Sequence, residues 1–246
     1  MISVIAVNRN NLEWLELLVK SVRKFTLQAY ETIIVDNGSV DGSVAWLKAQ
    51  DDIRSVFNPE NRHHGPGLDQ ALTLAKGEFV MVLDGDAHLM AQDWDYLMLR
   101  AYRSGPNVRL VAAKGGEDPA EPKCKPIHAC FQFFERRFFI DHHLSFVARE
   151  GHDVGRKNYY DITALGYEVI RIPAGYDHYE ADGPPVKFYP GVYGDIYYLE
   201  GNPFLYHNWY SGRMWNADIV DDYKRVDFDR HKAILFEQPL VKEILA

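Results

Sequence analysis

The amino-acid sequence predicts an α/β fold in which a mostly parallel central sheet is flanked by helices. Short apolar runs alternate with helical patterns over the first half of the 246 residues, which is typical of chains that build parallel sheets. Two of these runs end in acidic residues, and ligands of parallel sheets bind beyond the carboxyl ends of the strands. The composition, with 47% hydrophobic and 25% charged residues, is that of a globular chain with a buried core.

The predicted strands and helices of the first half follow one another in regular order. Apolar, β-branched runs predict strands at 2–7, 32–35, 55–57, 79–83 and 108–113. Apolar residues at helical spacing predict helices at 12–22, 44–47, 68–75 and 97–102. The less regular second half predicts a loop at 115–127, a helix at 153–165 and a strand at 168–172. Aromatic side chains at 188–215 could stack on sugar rings or form a small core.

Charge and cysteine content argue against several classes of protein. The net charge is −8, with 35 acidic and 27 basic residues, so the chain lacks the basic face that nucleic-acid binding requires. Cys124 and Cys130 are too few for a disulfide framework and lack the paired spacing of a zinc site, which favours free thiols. We expect no leader peptide and no membrane-spanning stretch. We therefore expect a cytoplasmic protein that would reach a membrane-bound acceptor only by peripheral contact.

Two carboxylates flank a glycine directly after the strand at 79–83, in Asp84, Gly85 and Asp86. Neighbouring carboxylates repel each other unless a cation or protons offset their charge, and Mg²⁺ and Mn²⁺ prefer such oxygen ligands. The glycine would let a diphosphate approach closely. A polar turn that closes the strand is the alternative, but the position after a buried strand favours a metal site.

The segment Asp36-Asn37-Gly38-Ser39 ends the second strand in the same way. The Asp36 carboxylate could accept a hydrogen bond from a nucleobase or from a ribose hydroxyl. The alternative is a turn, or a helix cap supplied by Ser39 or Asp41. Two acidic strand ends in one parallel sheet would face one crevice, so each motif supports the other.

Taken in order, these motifs resemble those of GT-A-fold glycosyltransferases of family 2. The resemblance covers residues 1–115 well and fades afterwards. It rests on the opening strand with Asn8, on the segment 34–39, on Asn61 with the segment 65–67, and on the segment 75–86. The chain departs from the family at 6–9, where Pro-Thr-Tyr-Asn is common, and at 67–69, where Ala-Arg-Asn is common.

The resemblance implies a fold of the nucleotide-diphospho-sugar transferase type and a donor site. The implied donor-binding residues are Val7, Asn8, Asp36, Gly67, Asp84, Gly85 and Asp86. Within this set, Asp36 with Val7 and Asn8 would frame the nucleoside. Asp84 and Asp86 would hold a divalent cation, Mn²⁺ or Mg²⁺, on the donor diphosphate.

The resemblance also implies a general base and a third metal ligand in the second half. Asp153 matches the second residue of the family's Glu-Asp pair, before a helix that leads to Gly166 and Tyr167. A carboxylate there could take the proton of an acceptor hydroxyl, with inversion at the anomeric carbon, or it could cap the helix. We expect His178 as the third ligand, with His207 as its rival, although a lone histidine is more often structural.

The sequence therefore predicts a glycosyltransferase in which residues 1–115 bind the donor, and residues 116–246 of the same domain bind the acceptor and supply the base. The acceptor could be a glycan, a lipid-linked compound or a small molecule, and the oligomeric state is left open. A sugar-phosphate nucleotidyltransferase is the alternative enzyme, but residues 8–11 lack the glycine-rich loop that such enzymes carry after the first strand. A non-catalytic sugar-nucleotide-binding module is the third hypothesis.

Overall fold

The computed structural model describes residues 1–115, 126–149, 152–176, 189, 192, 194–208 and 222–246, with side chains from 229 onward in the last segment. The first half contains β1 (Ile2–Asn8), α1 (Leu12–Phe25), β2 (Tyr30–Asn37), α2 (Ser43–Lys48), β3 (Ile53–Asn58), α3 (His64–Leu74), β4 (Phe79–Leu83), β5 (Ala87–Leu89), α4 (Trp94–Tyr102) and β6 (Val108–Lys114). The second half contains β7 (Ile127–Glu135), α5 (Arg136–Asp141), α6 (Lys157–Ala164), β8 (Glu168–Ile172), β9 (Ala174–Tyr176), β10 (Asp195–Leu199), β11 (Asn202–His207), α7 (Asp222–Phe236) and α8 (Pro239–Leu245).

A seven-stranded central sheet has the strand order β3-β2-β1-β4-β7-β6-β8. Neighbouring strands pair in parallel except at β7, which runs antiparallel to both β4 and β6. The sheet is therefore mostly parallel, as the sequence predicts. Ile2 lies opposite both Tyr30 and Phe79, so β1, β2 and β4 run level toward one edge of the sheet.

A second, four-stranded sheet has the order β5-β11-β10-β9. Its strand β5 begins directly after the segment 84–86, which leaves β4. Strand β11 pairs antiparallel with β5 and places His207 opposite Ala87. This pairing brings a distant part of the chain to the end of β4, and the sequence analysis does not predict it.

Apolar side chains cover both faces of the central sheet. Alternate residues of β1 belong to two separate buried clusters, because successive side chains of a strand point to opposite faces. On one face, α1 buries Trp14, Leu15, Leu18 and Val22, which recur at helical spacing. On the other face, α3 and α5 contribute Leu68 and Phe139 to the second cluster. Among the described residues, no helix combines the length and the apolar character needed to cross a membrane.

Several elements differ from their predicted bounds. The helix predicted at 68–75 begins at His64, so the segment 65–67 lies in its first turn rather than before it. The helix predicted at 153–165 begins only at Lys157, because residues 154–156 form a turn. Within the predicted aromatic segment, the described side chains with almost no exposure are Tyr189, Tyr197, Phe204 and Tyr206. Their burial favours a core role for these aromatic residues over contact with a ligand.

Candidate active site

The carboxyl ends of β1, β2 and β4 lie at one edge of the central sheet, and the predicted donor residues lie along that edge. Asn8 lies opposite Asp36 in the parallel pair of β1 and β2. The segment 84–86 continues from β4 and turns into β5. A parallel sheet offers its ligand crevice at this edge. The structure thus brings the two acidic motifs to the same side of the sheet.

Asp36 is fully buried, and local hydrogen bonds hold its carboxylate. Its Oδ2 accepts from Asn8 Nδ2 at 2.8 Å and from Ser39 Oγ at 2.7 Å, and its Oδ1 accepts from the Ser39 backbone N–H at 2.9 Å. Asp41 accepts from the first backbone N–H of α1 at 2.9 Å and from that of α2 at 3.1 Å. Asp36 therefore shapes the turn after β2, while Asp41 caps two helices. Contact of Asp36 with a nucleoside stays a prediction.

Two glycines bring the segment 84–86 and helix α3 close to the end of β1. A Cβ atom added to Gly85 would lie 3.0 Å from the backbone oxygen of Val7, and one added to Gly67 would lie 2.8 Å from Val7 Cγ2. Both distances leave little room for a side chain in a close-packed interior. The two glycines therefore allow close packing around Val7. Direct donor contacts of these three residues stay predictions.

Asp84, Asp86 and His207 converge beyond the end of β4. Nε2 of His207 lies 3.3 Å from Oδ2 of Asp84 and 3.3 Å from Oδ1 of Asp86. The His207 side chain is buried at the end of β11, where pairing with β5 aligns it. The backbone N–H of Asn208 donates to the backbone oxygen of Asp86 at 3.1 Å, which attaches the end of β11 to the acidic turn.

The electrostatics of this cluster favour opposite charges on its members. Burial alone would raise the pKa of the Asp84 carboxyl, but the hydrogen bond from His207 and the positive charges of His64, His207 and His128 hold it well below its ordinary value. Burial alone would lower the pKa of His207, but the charges and hydrogen bonds of Asp86 and Asp84 raise it to about 10. The two carboxylates thus create a place where positive charge is strongly stabilised.

Two further histidines, neither of them among the predicted site residues, lie around Asp84. His64 begins α3, and its Nε2 lies 3.5 Å from Oδ1 of Asp84. His128 of β7 has its ring centroid 5.3 Å from that of His207. Burial and the charge of His207 lower the pKa of His128, against the opposing charges of Asp84 and Asp153. A single histidine carries no periodic signal, so only the tertiary structure assigns these two to the site.

The donor set at this edge fits a divalent cation. The potential ligand atoms of Asp84, Asp86 and His207 all lie within 4.8 Å of one another. Oδ1 of Asp84 is buried and accepts no hydrogen bond from the described residues. Carboxylates suit both Mg²⁺ and Mn²⁺, and an added imidazole favours a transition metal such as Mn²⁺ over Mg²⁺.

The sequence matches glycosyl transferase family 2 over residues 3–159, which is more than half of the chain. The chain belongs to this family. A solved structure of the mannosyltransferase PcManGT from Pyrobaculum calidifontis, in complex with GDP-Man and Mn²⁺, superposes with a TM-score of 0.56 and 22% identity. The superposition covers 70% of this chain and 54% of that one. It confirms the predicted GT-A type of fold.

Two curated relatives match this family 2 chain over part of their length. A cholesterol galactosyltransferase of Borreliella burgdorferi is 31% identical over 110 residues, which is 44% of this chain and 31% of the relative. A poly-beta-1,6-N-acetyl-D-glucosamine synthase of Staphylococcus aureus is 29% identical over 105 residues, which is 42% of this chain and 25% of the relative. The chain therefore matches about a third or less of these relatives.

The predicted base of this family 2 chain, Asp153, lies in the turn before α6. Its side chain is exposed, and its Oδ1 accepts from the Val154 backbone N–H at 2.7 Å. The negative charges of Asp153 and Asp84 both act to raise the pKa of His128. The carboxylate of Asp153 is open to solvent. Its role as the base stays a prediction.

The two histidines considered as third metal ligand have different outcomes. His178 lies outside the described residues, so its role as a ligand stays a prediction. His207, its rival, is the histidine that the described residues place between Asp84 and Asp86. Asp69 lies at 67–69, where the chain departs from the family pattern. Its Oδ1 accepts from the backbone N–H of Phe146 at 2.8 Å, which attaches the segment around Phe146 to α3.

Proposed function

We propose that this family 2 chain transfers a sugar from a nucleoside-diphosphate donor to an acceptor hydroxyl, with a divalent cation on the donor diphosphate. One observation carries the proposal: Asp84, Asp86 and His207 converge at the carboxyl end of a buried strand of the family's fold. Family membership supports the class of reaction, and the geometry supports the use of a cation.

The residues of the chain divide the work of binding. Asp84, Asp86 and His207 would hold Mn²⁺ or Mg²⁺, which when bound would stabilise the negative charge that develops on the leaving diphosphate. Val7 and Asn8, at the end of β1, would border the nucleoside beside the turn that Asp36 shapes. Gly85 would let the diphosphate lie close to the backbone at this edge, because it has no side chain.

Asp153 would act on the acceptor. A hydroxyl group is a weak nucleophile, and a nearby carboxylate strengthens it by accepting its proton as the oxygen attacks the anomeric carbon. The exposed carboxylate of Asp153 has room for an acceptor, and its charge acts on His128 at the edge of the cluster. Attack from the side opposite the leaving diphosphate would invert the configuration at that carbon.

Residues 116–246, the second half of the chain, would bind the acceptor. Two relatives of the chain are a cholesterol galactosyltransferase and a poly-beta-1,6-N-acetyl-D-glucosamine synthase. A sterol-like or glycan hydroxyl is therefore a reasonable first choice of acceptor for this chain. Neither choice follows from the described residues, so acceptors of both kinds belong in the first assay.

The decisive experiment compares donor turnover with and without the cation. Purified chain is incubated with UDP-, GDP- and dTDP-sugars and a panel of sterol and glycan acceptors, with Mn²⁺, with Mg²⁺ or with a chelator. Release of nucleoside diphosphate is measured. We expect turnover of one class of donor that depends on the cation and is lost in Asp86→Ala.

A matched variant controls for nonspecific loss of charge. Asp51 is an exposed aspartate in the turn before β3, so Asp51→Ala should keep full turnover. Full activity in the presence of the chelator, or in Asp86→Ala, would falsify the proposed mechanism. Consumption of a nucleoside triphosphate with a sugar phosphate would instead identify a nucleotidyltransferase. Donor binding in calorimetry, without turnover on any acceptor, would identify a binding module.

A further inference from the structure

A second group of potential metal ligands shares His207 with the acidic cluster. Potential ligand atoms of His128, Cys130 and His207 all lie within 4.8 Å of one another. His128 and Cys130 are two residues apart on β7, at an irregularity where the strand's partners on β6 change from Gln132 opposite Ala112 to His128 opposite Ala113. The backbone N–H of Asp84 donates to the backbone oxygen of Cys130 at 3.0 Å, so this group adjoins the acidic cluster.

In this second group Cys130 and His207 are buried and His128 is half-buried, and hydrogen bonds hold Cys130 and His128 in place. Cys130 has no solvent exposure, and its thiol donates to Tyr197 Oη at 3.4 Å. Tyr197 in turn donates to Asp195 Oδ2 at 3.2 Å. The Cys130 backbone N–H donates to His128 Nδ1 at 3.2 Å, so this hydrogen bond must break before the lone pair of Nδ1 can coordinate a cation. Nδ1 of His207 is buried and has no hydrogen-bond partner among the described residues.

The two groups differ in the cations that they favour. Asp84 and Asp86 supply oxygen ligands, which suit Mg²⁺ and Mn²⁺. Cys130 and His128 supply sulfur and nitrogen, which suit Zn²⁺. A neutral imidazole has one lone pair to give, so His207 can coordinate one cation at a time.

We propose that Zn²⁺, or another thiophilic divalent cation, binds at His128, Cys130 and His207 and thereby excludes the cation held by Asp84 and Asp86. On binding, a sulfur–zinc bond forms at Cys130 and a nitrogen–zinc bond forms at His207, and the thiol proton and one ring proton of His207 pass to solvent. A solvent molecule would complete the four ligands that zinc usually takes. Zn²⁺ would then inhibit the chain by taking His207 from the acidic cluster. The inhibition rests on the proposed function, whereas the metal site itself does not.

Cobalt(II) tests the metal site without any turnover. Co²⁺ replaces Zn²⁺ in sulfur–nitrogen sites, and a thiolate ligand gives it an intense near-ultraviolet charge-transfer absorption. We expect this absorption on titration of the reduced, full-length chain, and its displacement by Zn²⁺. It should be lost in Cys130→Ser and require at least about tenfold more Co²⁺ in His128→Ala.

Matched variants separate this site from other thiols and histidines. Cys124→Ser removes the other cysteine of the chain and should keep the absorption. His143→Ala removes an exposed histidine and should also keep it. Circular dichroism establishes that each variant is folded, and Cys130→Ala provides a second test if the serine variant is not. Absorption that persists in the folded Cys130 variants, or that never forms in the unaltered chain, would overturn the site.

Competition with Mn²⁺ tests the exclusion. Free Mn²⁺ gives a sharp paramagnetic resonance signal that weakens on binding, so one equivalent of Zn²⁺ should restore it. Asp86→Ala should lose Mn²⁺ binding but keep the cobalt absorption, and Cys130→Ser should do the reverse. Simultaneous binding of both cations would overturn the exclusion. These readouts need no donor or acceptor, so a failure of the proposed transfer reaction would be recognised separately.

Discussion

The two acidic ends of the central sheet, at Asp36 and at Asp84, differ in how their carboxylates are satisfied. Asp36 accepts three hydrogen bonds, one from Asn8 of the neighbouring strand β1 and two from Ser39 of its own turn. Asp84 leaves Oδ1 without a hydrogen bond from the described residues and faces two imidazoles, those of His64 and His207. The Asp36 carboxylate therefore has a structural role, whereas the surroundings of the Asp84 carboxylate favour a positive charge beside it.

This difference separates two kinds of acidic motif that look alike in sequence. A carboxylate saturated by neutral donors contributes to stability, because its removal leaves buried donors without a partner. A carboxylate surrounded by titratable nitrogen atoms gains most when a cation joins it. We therefore expect substitutions at the Asp36 end to change the free energy of unfolding, and substitutions on the Asp84 side to change activity.

The largest effect should come from Asp153→Asn. Loss of a general base typically lowers kcat by about 10²- to 10⁴-fold, whereas an exposed substitution that keeps the shape should change the free energy of unfolding by less than about 0.5 kcal/mol. Initial rates and urea unfolding of the same preparation measure both quantities. Asp51→Asn, at an exposed turn, is the control. An unchanged kcat would remove Asp153 from the chemistry.

At the carboxyl end of β2, Asp36→Ala should lower the free energy of unfolding by about 2–4 kcal/mol, because donors of Asn8 and Ser39 lose their acceptor. Urea unfolding followed by circular dichroism measures the loss. Asp36→Asn, which keeps one oxygen, should lose less. If Asp36→Ala instead weakens donor binding while unfolding is unchanged, the contrast between the two ends is wrong.

Gly67→Ala should lower the free energy of unfolding by up to about 2 kcal/mol. The added Cβ would lie 2.8 Å from Val7 Cγ2, and overpacking of about 1–3 kcal/mol exceeds the gain of about 1 kcal/mol for alanine in a helix. A double-mutant cycle with Val7→Ala should show coupling above about 0.5 kcal/mol. Additive effects would mean that the two side chains do not collide.

The smallest expected effect is the change in Mn²⁺ affinity per pH unit. The pKa of His207 is raised from 6.5 to about 10, so a cation must displace a proton at neutral pH. Affinity should rise by about tenfold, or 1.4 kcal/mol, per pH unit between pH 6.5 and about 8.5. Calorimetry in two buffers of different ionisation enthalpy should report release of about one proton.

The same shift affects the stability of the chain without a cation. Because the folded pKa lies above the unfolded one, His207 contributes stability that is fully present below pH 6.5 and is lost as pH rises toward about 10. Cation affinity and this part of the stability should therefore change in opposite directions with pH. A flat affinity profile would show that His207 does not coordinate the cation.

The sequence predicts five of the six strands of the first half because each contains a short apolar run, whereas β5, with only three residues, was not predicted. Asp84 and Asp86 could be recognised because they directly follow such a run. The order of the strands in the sheet could not be predicted from the sequence. Strand β7 inserts between β4 and β6 although it follows both along the chain, and no local pattern encodes that pairing.

The histidines of the site show the same limit. The resemblance favours His178 over His207 as the third ligand, a prediction that the described residues do not test, whereas pairing of β11 with β5 places His207 beside Asp84 and Asp86. His64 and His128 reach the cluster through the start of a helix and through the antiparallel strand. Residues brought together only by tertiary contacts leave no spacing to read, so side-chain chemistry alone could not select them.

The docking of β11 against β5 also sets an order of events during synthesis. Both aspartates leave the ribosome more than a hundred residues before the imidazole that joins them. Long-range contacts of this kind form late, after the loop between them has been closed at an entropic cost. A nascent chain could therefore shape its nucleoside edge early, whereas full affinity for the cation would wait until the last strand of the second sheet is in place.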